Sequence, residues 1–148
     1  MALEKTFTII KPDAVASNYT GNILAMIETA GLRVIAAKML QMTDKHAEGL
    51  YAEHKERPFY ASLAGYMTSG PVLLMVLEGE DGVATLRKIM GATTPKDAEK
   101  GTIRNLYAEK EFEDGALENA IHGSDSLESA KREIDFFFAA EEICPRTR

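Results

Sequence analysis

Polar and apolar positions alternate near the start of the chain. Phe7 and Ile9 are interleaved with Thr6 and Thr8, and the run stops at Lys11-Pro12. Period-two alternation ended by a proline predicts a strand. Ile23, Leu24 and Ile27 then fall at helical spacing, with Thr20 as the expected N-cap and Gly31 as the stop. Residues 32–40, LRVIAAKML, predict a second strand with one half-polar face. Thr43-Asp44 is expected to open another helix, with Ala47, Leu50, Tyr51 and His54 along one stripe. Arg57-Pro58 breaks that helix, and a short one follows through Leu63. Residues 72–77 are continuously apolar between Gly70-Pro71 and Glu78-Gly79, which predicts a strand buried on both faces. Val83, Leu86 and Met90 predict the next helix, closed by Gly91. From Gly91 to Glu118 no period is sustained. A brief strand is expected around Ala120-Ile121-His122. Asp125 and Glu128 then stand at capping-box spacing before a helix carrying Leu127, Ala130, Ile134, Phe137 and Phe138.

With the helix at 44–54 set aside, the order is strand-helix-strand twice, then a closing helix. Two such halves predict an α+β fold, a ferredoxin-like split βαβ sandwich with a four-stranded antiparallel sheet covered by helices. A Rossmann sheet is the runner-up, but no Gly-x-Gly-x-x-Gly turn follows the first strand. The length of 148 residues suits one domain over residues 1–148. Seventeen Lys and Arg against twenty-three Asp and Glu leave a net charge of −6. That balance argues against a nucleic-acid coat or adsorption to an anionic membrane. It still permits an anionic substrate if a few cations are concentrated at one site. The single cysteine, Cys144, cannot form an intrachain disulfide. With no secretory leader or membrane span expected from the sequence, a soluble cytoplasmic protein is anticipated.

Among candidate motifs, residues 65–71, GYMTSGP, have Gly-x4-Gly spacing but Pro where a P-loop needs Lys. His46 and His54 have no convergent third metal ligand and are expected on a solvated helix face. His122 is the unusual position, because it lies where a short strand meets a glycine and a capped helix. A helix N-terminus there favours anions. On spacing alone His122 is either a structural hydrogen-bonding residue or a nucleophile or acid/base. A triad of adjacent Ser, His and Asp is geometrically implausible, so Ser124, Asp125 and Ser126 are expected to be caps. Lys11 at a strand end, Arg87 late in a helix and Arg104 in the long loop, with Phe59 after Arg57-Pro58, would suit a phosphate-bearing aromatic ligand.

Several blocks recur in one order: Thr8-Ile9-Ile10-Lys11-Pro12-Asp13, Tyr51-Ala52-Glu53-His54 with Arg57-Pro58-Phe59, Met67-Thr68-Ser69-Gly70-Pro71, Gly91-Ala92-Thr93, Gly101-Thr102-Ile103-Arg104, residues 119–126 with His122-Gly123-Ser124-Asp125-Ser126, and residues 144–148. On these the chain resembles the nucleoside diphosphate kinases of the bacterial type, essentially end to end. The resemblance implies ping-pong transfer of the γ-phosphate from ATP or another nucleoside triphosphate to a nucleoside diphosphate. His122 would be the nucleophile and carry the phosphoryl group. Arg87, Thr93 and Arg104 would hold the phosphates. Lys11 and Asn119 would contact the sugar hydroxyl, with Lys11 also near the transferring phosphate. Tyr51 would flank His122, Glu133 would orient its ring, and Phe59 would stack on the base. Stacking would account for breadth of substrate, since every base has a π-face. Mg²⁺ is implied as the cofactor, held mainly by nucleotide phosphates. A homo-oligomer is implied too, with a tetramer favoured over a dimer or hexamer.

Two departures from the family pattern stand out. Residues 105–117, NLYAEKEFEDGAL, are longer than usual and lack a small-acidic pair after Arg104, and Thr94 replaces a commoner Asn. Two other readings compete. One is a ferredoxin-like regulatory module that binds nucleotide without turnover, and it would need no exposed nucleophile. The other is a secondary nucleic-acid role, which the acidic charge disfavours.

Overall fold

A computed structural model describes residues 2–108, 110–111 and 117–147. Four strands, β1 (Leu3–Ile10), β2 (Arg33–Gln41), β3 (Pro71–Glu80) and, near the C-terminus, β6 (Ile121–Gly123), form one sheet; the short β4 (Lys110–Glu111) and β5 (Leu117–Glu118) pair separately. The sheet order is β2-β3-β1-β6, and every neighbouring pair is antiparallel. Each helical crossover therefore joins two like-directed strands with an antiparallel strand between them. This is the split βαβ arrangement, as expected from the order of elements.

Among the described residues seven α-helices accompany the strands: α1 (Pro12–Ala16), α2 (Thr20–Thr29), α3 (Asp44–Leu50), α4 (Tyr60–Met67), α5 (Gly82–Met90), α6 (Ile103–Tyr107) and α7 (Leu127–Phe137). Alternation in the strands sorts their side chains between two cores. Phe7, Ile9, Leu74 and Val76 meet Leu50, Met67 and Phe137, from α3, α4 and α7. Ile10, Met75 and Leu77 meet Ile23, Ile27, Leu86 and Ile103, from α2, α5 and α6. Both faces of β3 are thus covered, which is why its sequence is continuously apolar.

Local differences from expectation have physical reasons. Lys11-Pro12 ends β1, but Pro12 also starts the short helix α1, whose first position needs no N–H. Tyr19, not Thr20, is the N-cap of α2. The stripe on α3 is interrupted after Leu50, and Ala52–His54 continues as a 3₁₀ turn. His46 is not merely solvated, since its Nδ1 accepts from Thr43 N–H at 3.0 Å in a capping box. The cap of α7 lies one residue later than the Asp125–Glu128 spacing indicated, with Ser126 and Ser129 forming the box. Leu127 points outward instead of into the core. The segment after Gly91 holds a 3₁₀ turn (Pro95–Asp97), α6 and the β4–β5 pair, elements too short to show a period. Residues 112–116 of the lengthened segment lie outside the described residues.

Candidate active site

The register of the sheet decides where His122 goes. It pairs with Ile9, and residues directly opposite in an antiparallel pair share a face. Ile9 belongs to the core shared with α7, so the imidazole meets that helix. There Nε2 lies 2.9 Å from Glu133 Oε1. The same carboxylate oxygen accepts from Ser124 Oγ at 2.8 Å, and Arg132 approaches Oε2 at 3.6 Å. Burial alone would raise the Glu133 pKa, but the hydrogen bonds from His122 and Ser124 and the charges of His122 and Arg132 outweigh it and hold the carboxyl below its usual range. An ionised Glu133 can only accept, so in the neutral ring Nε2 is the nitrogen that carries the proton and Nδ1 the one with the lone pair.

The flanking residues of β6 face the opposite core. A Cβ at Gly123 would come within 2.5 Å of Met90 Sδ and 3.0 Å of Leu86 Cδ2. Only a glycine lets α5 sit this close to β6, and that approach brings Arg87 Nη1 to 3.2 Å from Gly123 O. Arg87 also pairs with Asp125 at 2.9 Å. Gly123→Ala is expected to destabilise the fold by about 1–3 kcal/mol through overpacking against Met90 and Leu86, a loss that thermal unfolding measures.

Arg104 is 5% exposed and spends its guanidinium on three backbone carbonyls: Asn119 (3.2 Å), Gly91 (3.2 Å) and Ile121 (2.8 Å). Burial, then the nearby Arg87, lowers its pKa to about 10, which leaves it charged at neutral pH. Gly91, at φ +88°, ends α5 in the left-handed region and turns its carbonyl toward this arginine. Lys11, 6% exposed, donates Nζ to Asn119 Oδ1 at 2.7 Å, and Asn119 Nδ2 donates to Thr93 O at 3.1 Å. Burial, then Arg104, lowers the Lys11 pKa to about 7, against an opposing pull from Asp13.

His122, Glu133, Tyr51, Arg87, Thr93 and Arg104 line one cleft of about 160 Å³. Lys11 and Asn119 adjoin it through Arg104 and Thr93 rather than lining it. Phe59 stands outside, its ring 5.9 Å from that of His54. The cleft is smaller than a typical ligand pocket of roughly 300–1,000 Å³, a size that suits a small anionic group.

Some cleft residues were not anticipated from the sequence. His54, expected on a solvated face, lines the cleft with a buried Nδ1 that has no hydrogen-bond partner among the described residues. Tyr51, expected beside His122, also has a buried OH without a partner among the described residues, and burial with the Glu133 charge keeps the phenol protonated. Arg132 lines the cleft as well, giving three arginines against the carboxylates of Asp125 and Glu133. Ser124 and Asp125, expected as caps, instead orient Glu133 and pair with Arg87. No spacing rule marks these roles, because each depends on contacts across the sheet.

The fold and cleft define a class: an α+β protein presenting a carboxylate-oriented imidazole beside a cluster of arginines, arranged for anion chemistry. The family model for nucleoside diphosphate kinase matches residues 4–143. Among solved structures, the chain is 41% identical to a nucleoside diphosphate kinase from Aquifex aeolicus, covering 96% of this chain and 99% of that one, with a TM-score of 0.89. It is 33% identical to a transition-state mimic of the Borrelia burgdorferi nucleoside-diphosphate kinase with bound vanadate and ADP (99% and 93% covered, TM-score 0.92). It is 38% identical to a halophilic nucleoside diphosphate kinase from Halobacterium salinarum in complex with CDP (99% and 95% covered, TM-score 0.89). The chain belongs to the nucleoside diphosphate kinase family. It is a nucleotide-binding phosphotransferase that moves the terminal phosphate from ATP to nucleoside diphosphates.

Proposed function

We propose that transfer is ping-pong and passes through a phosphohistidine on His122. The observation that carries this reading is the hydrogen bond from Nε2 to an ionised Glu133, which leaves Nδ1 as the nucleophilic nitrogen. In the first half, Nδ1 forms a bond to the γ-phosphorus of the triphosphate as the bond to the bridging oxygen breaks, and the nucleoside diphosphate leaves with that oxygen. The ring becomes cationic while Nε2 keeps its proton and donates it in the hydrogen bond to Glu133, whose negative charge stabilises the cation. In the second half an oxygen of the incoming diphosphate takes the phosphoryl group and Nδ1 recovers its lone pair. The transition state is loose, with charge on the phosphoryl oxygens, so the remaining work is positioning and electrostatics.

Arg87, Thr93 and Arg104 hold the phosphates in this reading, and the orphaned Tyr51 OH and His54 Nδ1 are groups a bound phosphate chain would satisfy. Lys11 and Asn119 meet the sugar hydroxyl and the transferring phosphate. Phe59 stacks on the base, selecting for a π-face and not for one base edge. Mg²⁺ would be carried mainly on the nucleotide phosphates, since this hard cation takes oxygen ligands and keeps several waters. Asp125 is the exposed carboxylate at the cleft that could reach such an ion directly or through water. When bound, Mg²⁺ would neutralise phosphate charge.

The same reading takes the chain as one catalytic domain over 1–148, of the bacterial type and cytoplasmic. No described helix is long and apolar enough to cross a membrane. It acts as a homo-oligomer, with a tetramer favoured. Among the described residues no strand pairs with the second edge of β2, where Ile35 O accepts from Cys144 N–H at 2.7 Å, and Met39 further along the strand is exposed, which suits a second copy.

Steady-state transfer from ATP to GDP tests the kinetic scheme. Parallel double-reciprocal lines are expected, whereas intersecting lines would show a ternary complex and rule the intermediate out. Lys11 adds a pH test. Its lowered pKa of about 7 leaves it mostly neutral in the free protein at pH 8, and an arriving phosphate favours the charged form. ADP binding at pH 8 should therefore take up protons, visible as a dependence of the calorimetric heat on buffer ionisation enthalpy. The component assigned to Lys11 should vanish in Lys11→Met.

A further inference from the structure

Asp13 has no part in the transfer just described, yet both oxygens of its carboxylate are engaged. Oδ1 accepts from the hydroxyl of the buried Tyr66, at the far end of α4. Oδ2 accepts from the backbone N–H of Ala120 at 3.2 Å. Ala120 stands at φ +70°, a region that an L-alanine occupies about tenfold less readily than its right-handed alternatives. The turn is tight, because Ile121 N–H donates to Asn119 O across it at 2.8 Å, closing a three-residue turn of the strained kind. The carbonyl of Ala120 in turn accepts from Lys11 N–H at 2.8 Å. Both polar backbone groups of the strained residue are therefore held by the segment Lys11-Pro12-Asp13.

The residues on either side of this turn belong to the cleft and its border. Asn119 offers Oδ1 to Lys11 and Nδ2 to Thr93, while Ile121 leads directly into His122. A relaxed residue 120 would swing Asn119 relative to β6 and change the spacing between Lys11 and the imidazole.

We propose that Asp13 is a positioning residue for phosphoryl transfer: by clamping Ala120 in its left-handed turn it sets Lys11 and Asn119 against His122. This rests on the reading of His122 as the phosphoryl carrier. A different account is possible for the same carboxylate, since its charge also pulls Lys11 toward the protonated form. The two separate cleanly in an asparagine variant. Its amide oxygen can still accept from Ala120 and its NH₂ can donate to the Tyr66 oxygen, but the charge is gone.

The experiment measures single-turnover phosphorylation of the protein by ATP, well below each variant's thermal midpoint, with amide hydrogen exchange at Ala120 and Lys11 beside it. Asp13→Ala should slow phosphorylation about tenfold, the cost of an unclamped turn, and release protection at Ala120. Asp13→Asn should stay within about twofold of wild type, because the hydrogen bonds survive. Ala120→Gly placed in the Asp13→Ala background should recover most of the loss, since glycine takes φ > 0 without a clamp. Asparagine as slow as alanine would assign Asp13 to charge control and overturn the proposal, as would a failure of Ala120→Gly to restore the rate. Should Asp13→Ala not fold, Tyr66→Phe, which frees one oxygen of the carboxylate, is read in its place with the same glycine rescue. If wild type itself accepts no phosphoryl group, the functional reading fails on its own. Exchange at Ala120 then still decides the clamp: protection retained without Asp13 would contradict it, and protection lost would support it.

Discussion

His122→Ala is expected to lower phosphoryl transfer by ~10⁴-fold or more, the order seen when a covalent nucleophile is deleted, while the protein still folds and binds diphosphate. The expectation follows from what the side chain does in the resting molecule. Its ring is partly exposed, makes one hydrogen bond to Glu133, and touches Phe7 edge-on at 6.0 Å. Removing it leaves Glu133 with Ser124 and Arg132, so no buried charge is abandoned. Arg87, Thr93 and Arg104, the proposed phosphate ligands, remain in the cleft. An unchanged thermal midpoint and calorimetric ADP binding would establish the intact fold. Retention of a tenth of wild-type turnover would mean that another group carries the phosphoryl transfer.

Lys11→Ala should cost about 10²–10³ in rate, by comparison with removal of a single preorganised donor at a developing charge. Lys11 differs from a solvated surface lysine in three ways: it is 6% exposed, its amine is fixed on Asn119, and its pKa is lowered to about 7. In the proposed site, an amine this close to losing its proton in the free protein would gain charge as phosphate arrives, when that charge is most useful. The folded-state pKa lies below the unfolded value, so the unfolded chain binds more protons between about pH 7 and pH 10. Stability attributable to this residue therefore rises with pH across that window. Relative to Lys11→Met, wild type should gain in thermal midpoint on going from pH 7 to pH 9. A rate unaffected by Lys11→Ala would reduce the residue to a structural role.

The sequence carried much of the fold because the sheet is built on strong signals. Residues 72–77 are apolar throughout since β3 lies between two helical layers, and Gly31 and Gly91 stop helices through positive φ. Weaker signals failed where elements are short. The five residues of α1 and α6 are too few for a period, and Ser126 outcompeted Asp125 as the cap of α7. At the site, His122, Lys11 and Arg104 stood out at element ends or in an aperiodic loop, and the family resemblance supplied Glu133, Asn119 and Thr93. Roles that arise only on folding could not be read from one strand of sequence. The Ser124 bond to Glu133, the orphaned Nδ1 of His54 and the reach of Arg132 depend on which face β6 turns toward α7. Asp13 and Ala120 lie 107 positions apart in the chain and meet only in the folded protein.

The central claim is the covalent intermediate, and intact mass tests it most directly. Purified protein mixed with ATP and Mg²⁺ should gain one phosphoryl group that is labile to acid, absent in His122→Ala, and discharged when GDP is added. A protein that binds nucleotide yet gains no mass, or gains an acid-stable phosphoryl group that persists in His122→Ala, would contradict the account.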